Sequence, residues 1–137
     1  LEFTLSQAFA GGSFMSYSIG EFSELTGLSP HTLRYYEKEG LLTAARNRGG
    51  QRVYLEADLK WVEFIKKLKA TGMPVKEIKI YADLRARGNE TLASRLDMLK
   101  IHRQHILDEI NKWQGHLLSM DEKINYYVEE INRNRKK

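Results

Sequence analysis

The sequence predicts a mainly α-helical chain: a head of short capped helices with a basic hairpin, an additional helix pair, and one long C-terminal helix. Three observations predict it. Cap-forming residues open two short apolar-periodic runs at Ser18 and Ser29. Glycine and proline punctuate the chain as far as Gly88. Beyond that point apolar residues recur at alternating spacings of 3 and 4 with no proline to the end.

The opening stretch "LEFTLSQAFAGGSF", residues 1–14, lacks the basic start and long apolar core of a signal peptide and precedes Met15, so it reads as an appended tag segment outside the fold. Ser18 and Glu21 have the spacing of a capping box, and Ile19, Phe22 and Leu25 follow at helical spacing until Gly27. Ser29 then supplies an N-cap oxygen, Pro30 suits the first helical position, and Gly40 stops the second helix. A helix of about ten residues is marginal in water, so neighbours must hold it, which leaves His31, Thr32, Arg34, Tyr35 and Tyr36 free for another task. Two helices joined through "TGL" have helix-turn-helix geometry, in which the second helix presents its outer face to a DNA major groove. Ordinary helical bundles also contain short helices and short turns.

In "TAARNRGGQRVYLEADL", arginines surround Gly49-Gly50, a tight hairpin signal, and "QRVYL" reads as a short strand. A two-stranded arm beside the helix pair is a wing, and guanidinium groups at its tip can fork onto phosphates. The charge is local. The last five residues carry four of the 22 Lys and Arg, so the remainder balances the 18 acidic residues. Yet from His31 to Tyr54, Arg34, Lys38, Arg46, Arg48 and Arg52 face only Glu37 and Glu39. Such a footprint suits a site that meets phosphates; a solvated face that is basic by chance is the alternative.

A third helix is expected over Asp58 to Ala70, with Leu59, Val62, Phe64 or Ile65, and Leu68 inside, and a fourth from Pro74 to about Arg87. Trp61, Phe64 and Tyr81 read as packing residues. From Asn89 the seam Leu96, Leu99, Arg103, Ile106, Ile110, Trp113, Leu117, Met120, Ile124, Tyr127 and Ile131 forms a heptad stripe on a helix roughly 60 Å long at 1.5 Å per residue. A domain as small as residues 16–88 cannot cover it, so a second copy is the economical partner, and folding back within a larger complex is the alternative. Gly115 falls at an outward position of the heptad. The resulting division is residues 16–55 as winged helix-turn-helix, 56–88 as linking helix pair, 89–131 as dimerisation helix and 132–137 as basic tail.

With no Cys there is no disulfide, thiolate ligand or thiol nucleophile, which fits a cytoplasmic address. No stretch approaches the roughly 18 apolar residues of a membrane span. His102, His105 and His116 lack a third acidic or thiol partner in clear register, so they read as solvated helix residues and no metal is expected. Neither a carboxylate pair, a nucleophile with its base, nor a phosphate-binding glycine loop stands out, so neither enzyme activity nor a cofactor is expected.

Together "YSIGEFSELTGLSPHTLRYYEKEGLL", "RNRGGQRVY", "ADLKWVEFIKKLKATGMPVKEI" and the long helix resemble the MerR family of bacterial transcription regulators, over about residues 17–130. The resemblance implies a homodimer joined by an antiparallel coiled coil, whose two heads bind a near-palindromic promoter and distort it for RNA polymerase, so that deformation energy forms part of recognition. It also places DNA contacts at His31, Thr32, Arg34 and Tyr36 on the recognition helix and at Arg46, Gln51, Arg52 and Tyr54 on the wing, where Arg48 joins them as an arginine of the hairpin tip. The nearest likeness is to the small aldehyde- or electrophile-responsive subgroup, with Lys67 where many members carry a cysteine; the effector is unknown. A coiled-coil architectural protein that binds nucleic acid without sequence choice is the rival reading.

Overall fold

The structure, a computed structural model, describes residues 16–136; the segment read as a tag lies outside them. Strand β1 (Ser16–Tyr17) leads into α1 (Ile19–Thr26) and α2 (Pro30–Lys38); β2 (Ala45–Arg46) and β3 (Arg52–Leu55) follow, then α3 (Glu56–Ala70), α4 (Val75–Ala86), a 3₁₀ turn (Asn89–Thr91) and α5 (Leu92–Arg135). The chain divides into two compact units, one through Met98 and one from Leu99.

Helix α1 starts on the expected capping box: Glu21 N–H donates to Ser18 Oγ at 3.2 Å, and Ser18 N–H to Glu21 Oε1 at 3.0 Å. It ends on Gly27, whose φ of 74° lets the chain reverse. Two hydroxyls fix the following turn. Thr26 Oγ1 accepts from Leu28 N–H while donating to the Phe22 carbonyl, and Ser23 Oγ donates to the Leu28 carbonyl. Helix α2 begins on the Ser29 cap with Pro30 behind it. It ends with Leu41 N–H bonded to the Tyr36 carbonyl and Gly40 N–H to that of Glu37, the paired bonds of a Schellman stop that needs the φ of 77° at Gly40.

The sheet holds one strand more than the predicted two-stranded arm. Its order is β1-β3-β2, both pairings antiparallel, with Tyr17 opposite Tyr54 and Arg46 opposite Arg52. A two-residue strand carries no periodic signal, which is why β1 escapes a sequence reading. The hairpin turn also differs from a bare Gly-Gly turn. Asn47 Oδ1 accepts from both Gly49 N–H and Gln51 N–H at 3.0 Å, and Gly50 (φ 76°) donates to the Asn47 carbonyl.

Helix α3 starts at Glu56, two residues ahead of the expected Asp58, because the Asp58 carboxylate accepts from Leu55 N–H at 2.9 Å and so draws the first turn forward. Burial pushes the Asp58 carboxyl upward, opposed by that hydrogen bond and by the charge of Arg85. Trp61 and Tyr81 are buried and stacked at 5.8 Å, with the Arg85 guanidinium 4.6 Å from the Trp61 ring. Trp61 Nε1–H donates to the Leu41 carbonyl at 2.7 Å, tying α3 to the loop after the recognition helix. In the head, Phe22 of α1 lies flat on Tyr54 of β3, ring centroids 4.3 Å apart and planes 4° from parallel.

Helix α5 carries the predicted seam residues at differing exposure. Leu96 and Arg103 are exposed, Leu99 and Ile106 are half-buried, and His102 is buried. His102 is therefore not the solvated residue expected, unlike exposed His105 and His116, and its ring lies edge-on to that of His105. Further along, Ile110, Trp113, Leu117, Met120, Ile124, Tyr127 and Ile131 are all exposed, Trp113 by 65% and Leu117 by 62%. Gly115 points into open space.

Two aromatic residues test this packing with opposite signs. The Tyr54 hydroxyl is buried and has no hydrogen-bond partner among the described residues. Tyr54→Phe removes a desolvated polar atom without breaking a bond, and thermal melting is expected to show a gain of about 1 kcal/mol. Trp61→Phe strands the Leu41 carbonyl and leaves a void, so the same measurement is expected to show a loss of about 2 kcal/mol.

Candidate nucleic-acid interface

The nine residues of α2 sort cleanly by face. Leu33 and Tyr36 are buried three residues apart, and His31, Arg34, Tyr35 and Lys38 are exposed at helical spacing. Four side chains with donor groups thus share one outward surface: an imidazole, a guanidinium, a phenol and an ammonium. Thr32 sits at the edge, half-buried, its hydroxyl oxygen accepting from Ser29 Oγ at 3.0 Å.

This sorting corrects the sequence reading at Tyr36. Its ring belongs to the core, with the Lys69 ammonium 5.2 Å from the ring centroid and 3.3 Å from the hydroxyl. The outward tyrosine is Tyr35. Tyr35 and Lys38, named in the sequence reading but not among the implied DNA contacts, belong to this face; the signal was available, because both fall in helical register with His31 and Arg34, whereas Tyr36 falls in register with Leu33.

The wing departs further. Tyr54 faces inward, its hydroxyl buried and the phenol pushed up to about 12, chiefly by burial and next by the charge of Glu37. The reason is period two along β3: Tyr54 shares a face with Arg52, and the ring is taken up by Phe22. Arg52 is only partly exposed. Its Nε donates to Glu37 Oε2 at 2.5 Å, and Arg46 Nη2 donates to Glu37 Oε1 at 3.3 Å. The hydrogen bond to Glu37 raises the Arg52 pKa further above its ordinary value. Gln51 is exposed and its amide oxygen accepts from Asn47 Nδ2 at 3.1 Å, while Arg48 is exposed at the turn. Glu37 thus binds α2 to both strands of the wing.

The arrangement offers cations and aromatic edges on a convex, capped helix with a basic hairpin fastened beside it. Among the described residues no group of three or more His, Cys, Asp or Glu could hold a metal ion, and no helix is long and apolar enough to cross a membrane. Lys67 is exposed on α3.

Residues 17–84 match the family model described as "MerR HTH family regulatory protein". The chain is 32% identical to an uncharacterised HTH-type transcriptional regulator of Haemophilus influenzae, over 82% of this chain and 84% of that protein. Among solved structures it resembles HiNmlR, a MerR family regulator lacking the sensor domain and bound to promoter DNA, with a TM-score of 0.74, 32% identity and coverage of 84% of this chain and 92% of that one. A MerR-type regulator structure from Listeria monocytogenes gives a TM-score of 0.75 and 34% identity, over 81% and 85% of the two chains.

Proposed function

This chain belongs to the MerR family of helix-turn-helix transcription regulators, and from that premise we propose that two copies of it bind a near-palindromic promoter and distort it to control transcription. The observation that carries the reading is the outward face of α2, with His31, Arg34, Tyr35 and Lys38 in one register beside a wing fastened through Glu37. A related chain of the same extent was solved on promoter DNA, which supports the same use of this face.

In this reading α2 enters the major groove. His31, Thr32 and Tyr35 meet base edges or the thymine methyl, Arg34 and Lys38 meet phosphates or guanine, and Arg48 with the outer guanidinium edges of Arg46 and Arg52 meets the backbone. Gln51 flanks the wing contacts. Tyr36 and Tyr54 act from beneath, as supports. The dimer joins through Leu96, Leu99, Arg103, Ile106, Ile110, Trp113, Leu117, Met120 and Ile124, whose exposed members need a covering surface. RNA polymerase is the partner that uses the realigned promoter.

Binding to a duplex selected from a random pool, measured against unselected duplex, tests the reading. A preference of about 10³ or more is expected, and equal binding would leave the architectural alternative standing. Arg34→Ala is expected to weaken both and to flatten the dependence on salt, since each lost phosphate contact removes about 0.9 from the log–log slope. His31→Ala is expected to change which sequences are selected while leaving that slope in place.

The helix is tested separately by sedimentation. Leu117→Asp or Ile110→Asp places a carboxylate in the apolar stripe and is expected to yield monomers that bind DNA poorly. Arg103→Leu is expected to raise the melting temperature while loosening the choice of alignment, because a lone charge in a seam fixes register at a cost in stability. A monomeric unmodified chain at micromolar concentration would refute the arrangement.

A further inference from the structure

The wing hairpin closes on two residues of like charge. Arg46 and Arg52 stand directly opposite in the β2–β3 register, and like charges so placed destabilise an antiparallel pair. Only one carboxylate meets them among the described residues. Glu37 spends both its oxygens, one on each guanidinium, at 2.5 and 3.3 Å. The other end of Arg46 is used as well, its Nη1 donating to the Gly50 carbonyl inside the wing turn at 3.3 Å. A continuous set of hydrogen bonds therefore runs from the tip of the wing through Arg46 to α2 and back through Arg52 to β3. Glu37 is 19% exposed and Arg52 28%, so their pair is less open to screening than one on the open surface, while Arg46, at 46%, holds the more exposed half of the clamp.

A negative charge beside a phosphate-binding face opposes binding to any DNA, matched or not. Glu37 lies half-buried on the flank of α2, where it adjoins the arginines that would meet the backbone. Its charge is costly for affinity, and its two hydrogen bonds are useful for register.

We propose that Glu37 is a specificity-determining positioning residue: clamped between Arg46 and Arg52, it fixes the wing to the recognition helix and lowers the charge with which each head attracts unmatched DNA. The inference rests on the promoter-binding reading above. A matched site engages α2 and the wing together, so it profits from their fixed relation. Random DNA meets the backbone-binding groups in any register, gains nothing from that relation, and meets only the added negative charge.

The test is Glu37→Gln in the full chain, titrated against a selected duplex and a random duplex across a range of salt. The random duplex is expected to bind more tightly, with a log–log slope steeper by about 0.9 for each head that touches DNA. The ratio of selected to random affinity is expected to fall by about tenfold. Glu37→Asp keeps the charge and is expected to restore the slope of the unmodified chain and most of the ratio. The double variant Glu37→Gln/Arg46→Gln removes the opposed charges, so it carries the test even where Glu37→Gln alone does not fold; its slope is expected to match the unmodified chain while its ratio stays low. An unchanged ratio, an unchanged slope in Glu37→Gln, or Glu37→Asp behaving as Glu37→Gln overturns the role of Glu37. An unmodified chain that binds neither duplex overturns the promoter-binding reading itself.

Discussion

The stack of Phe22 on Tyr54 is the contact on which the head depends. Strands of two and four residues do not hold together in water, and a nine-residue helix does not either. Laying a ring from α1 flat against a ring from β3 gives both a common interior, to which Leu33 and Tyr36 of α2 are added. Because side chains alternate along a strand, turning Tyr54 toward Phe22 also turns Arg52 to that side, where Glu37 meets it. The apolar stack and the ionic clamp are thus two results of one strand orientation.

The same economy governs α2. Its inward positions are committed to Leu33 and Tyr36, its ends to the Ser29 cap and the Gly40 stop, and its flank to Glu37. What remains is one exposed row of four side chains, whose Tyr35 ring lies tilted against that of Tyr36. Support reaches it from behind as well: the Trp61 indole holds the Leu41 carbonyl just past the stop, and Lys66 Nζ donates to the Thr26 carbonyl at 2.6 Å just before the turn. Helix α3 thereby braces the chain on either side of α2, so a reading surface made of flexible side chains stands on a backbone with little freedom.

Caps and turns were legible because their signals are local. Ser18 with Glu21, Ser29 with Pro30, and the glycines at positions 27 and 40 act on neighbours within a few residues, and the structure uses each as the sequence suggests. Pairings across longer intervals were not legible. Nothing in the order of residues says that Glu37 will meet Arg46 nine positions on and Arg52 fifteen positions on, so the wing arginines read as free when they are engaged. The tyrosine pair lies between these cases. Adjacent residues point about 100° apart on a helix, so only one of Tyr35 and Tyr36 can share the side of Leu33. Strand β1 was beyond reach because it is too short to show a period, and the burial of His102 because a polar residue outside the apolar seam carries no signal of burial.

Helix α5 poses a separate energetic question, since its stability cannot come from the groups it pairs with itself. The ion pairs along its outer surface, such as Glu109 with Lys112 and Glu130 with Arg133, link neighbouring turns and contribute about 0.2–0.5 kcal/mol each. Against them stands a run of large apolar side chains in water, from Ile110 through Trp113, Leu117, Met120 and Ile124 to Ile131. Full burial of one such side chain is worth about 1.5–3 kcal/mol, so the stripe outweighs every polar contact on the helix once it is covered. Glycine at position 115, which costs about 1 kcal/mol in a helix interior, stands on the open side, where its missing side chain deprives the stripe of nothing. Covering that stripe is therefore the largest favourable contribution open to α5.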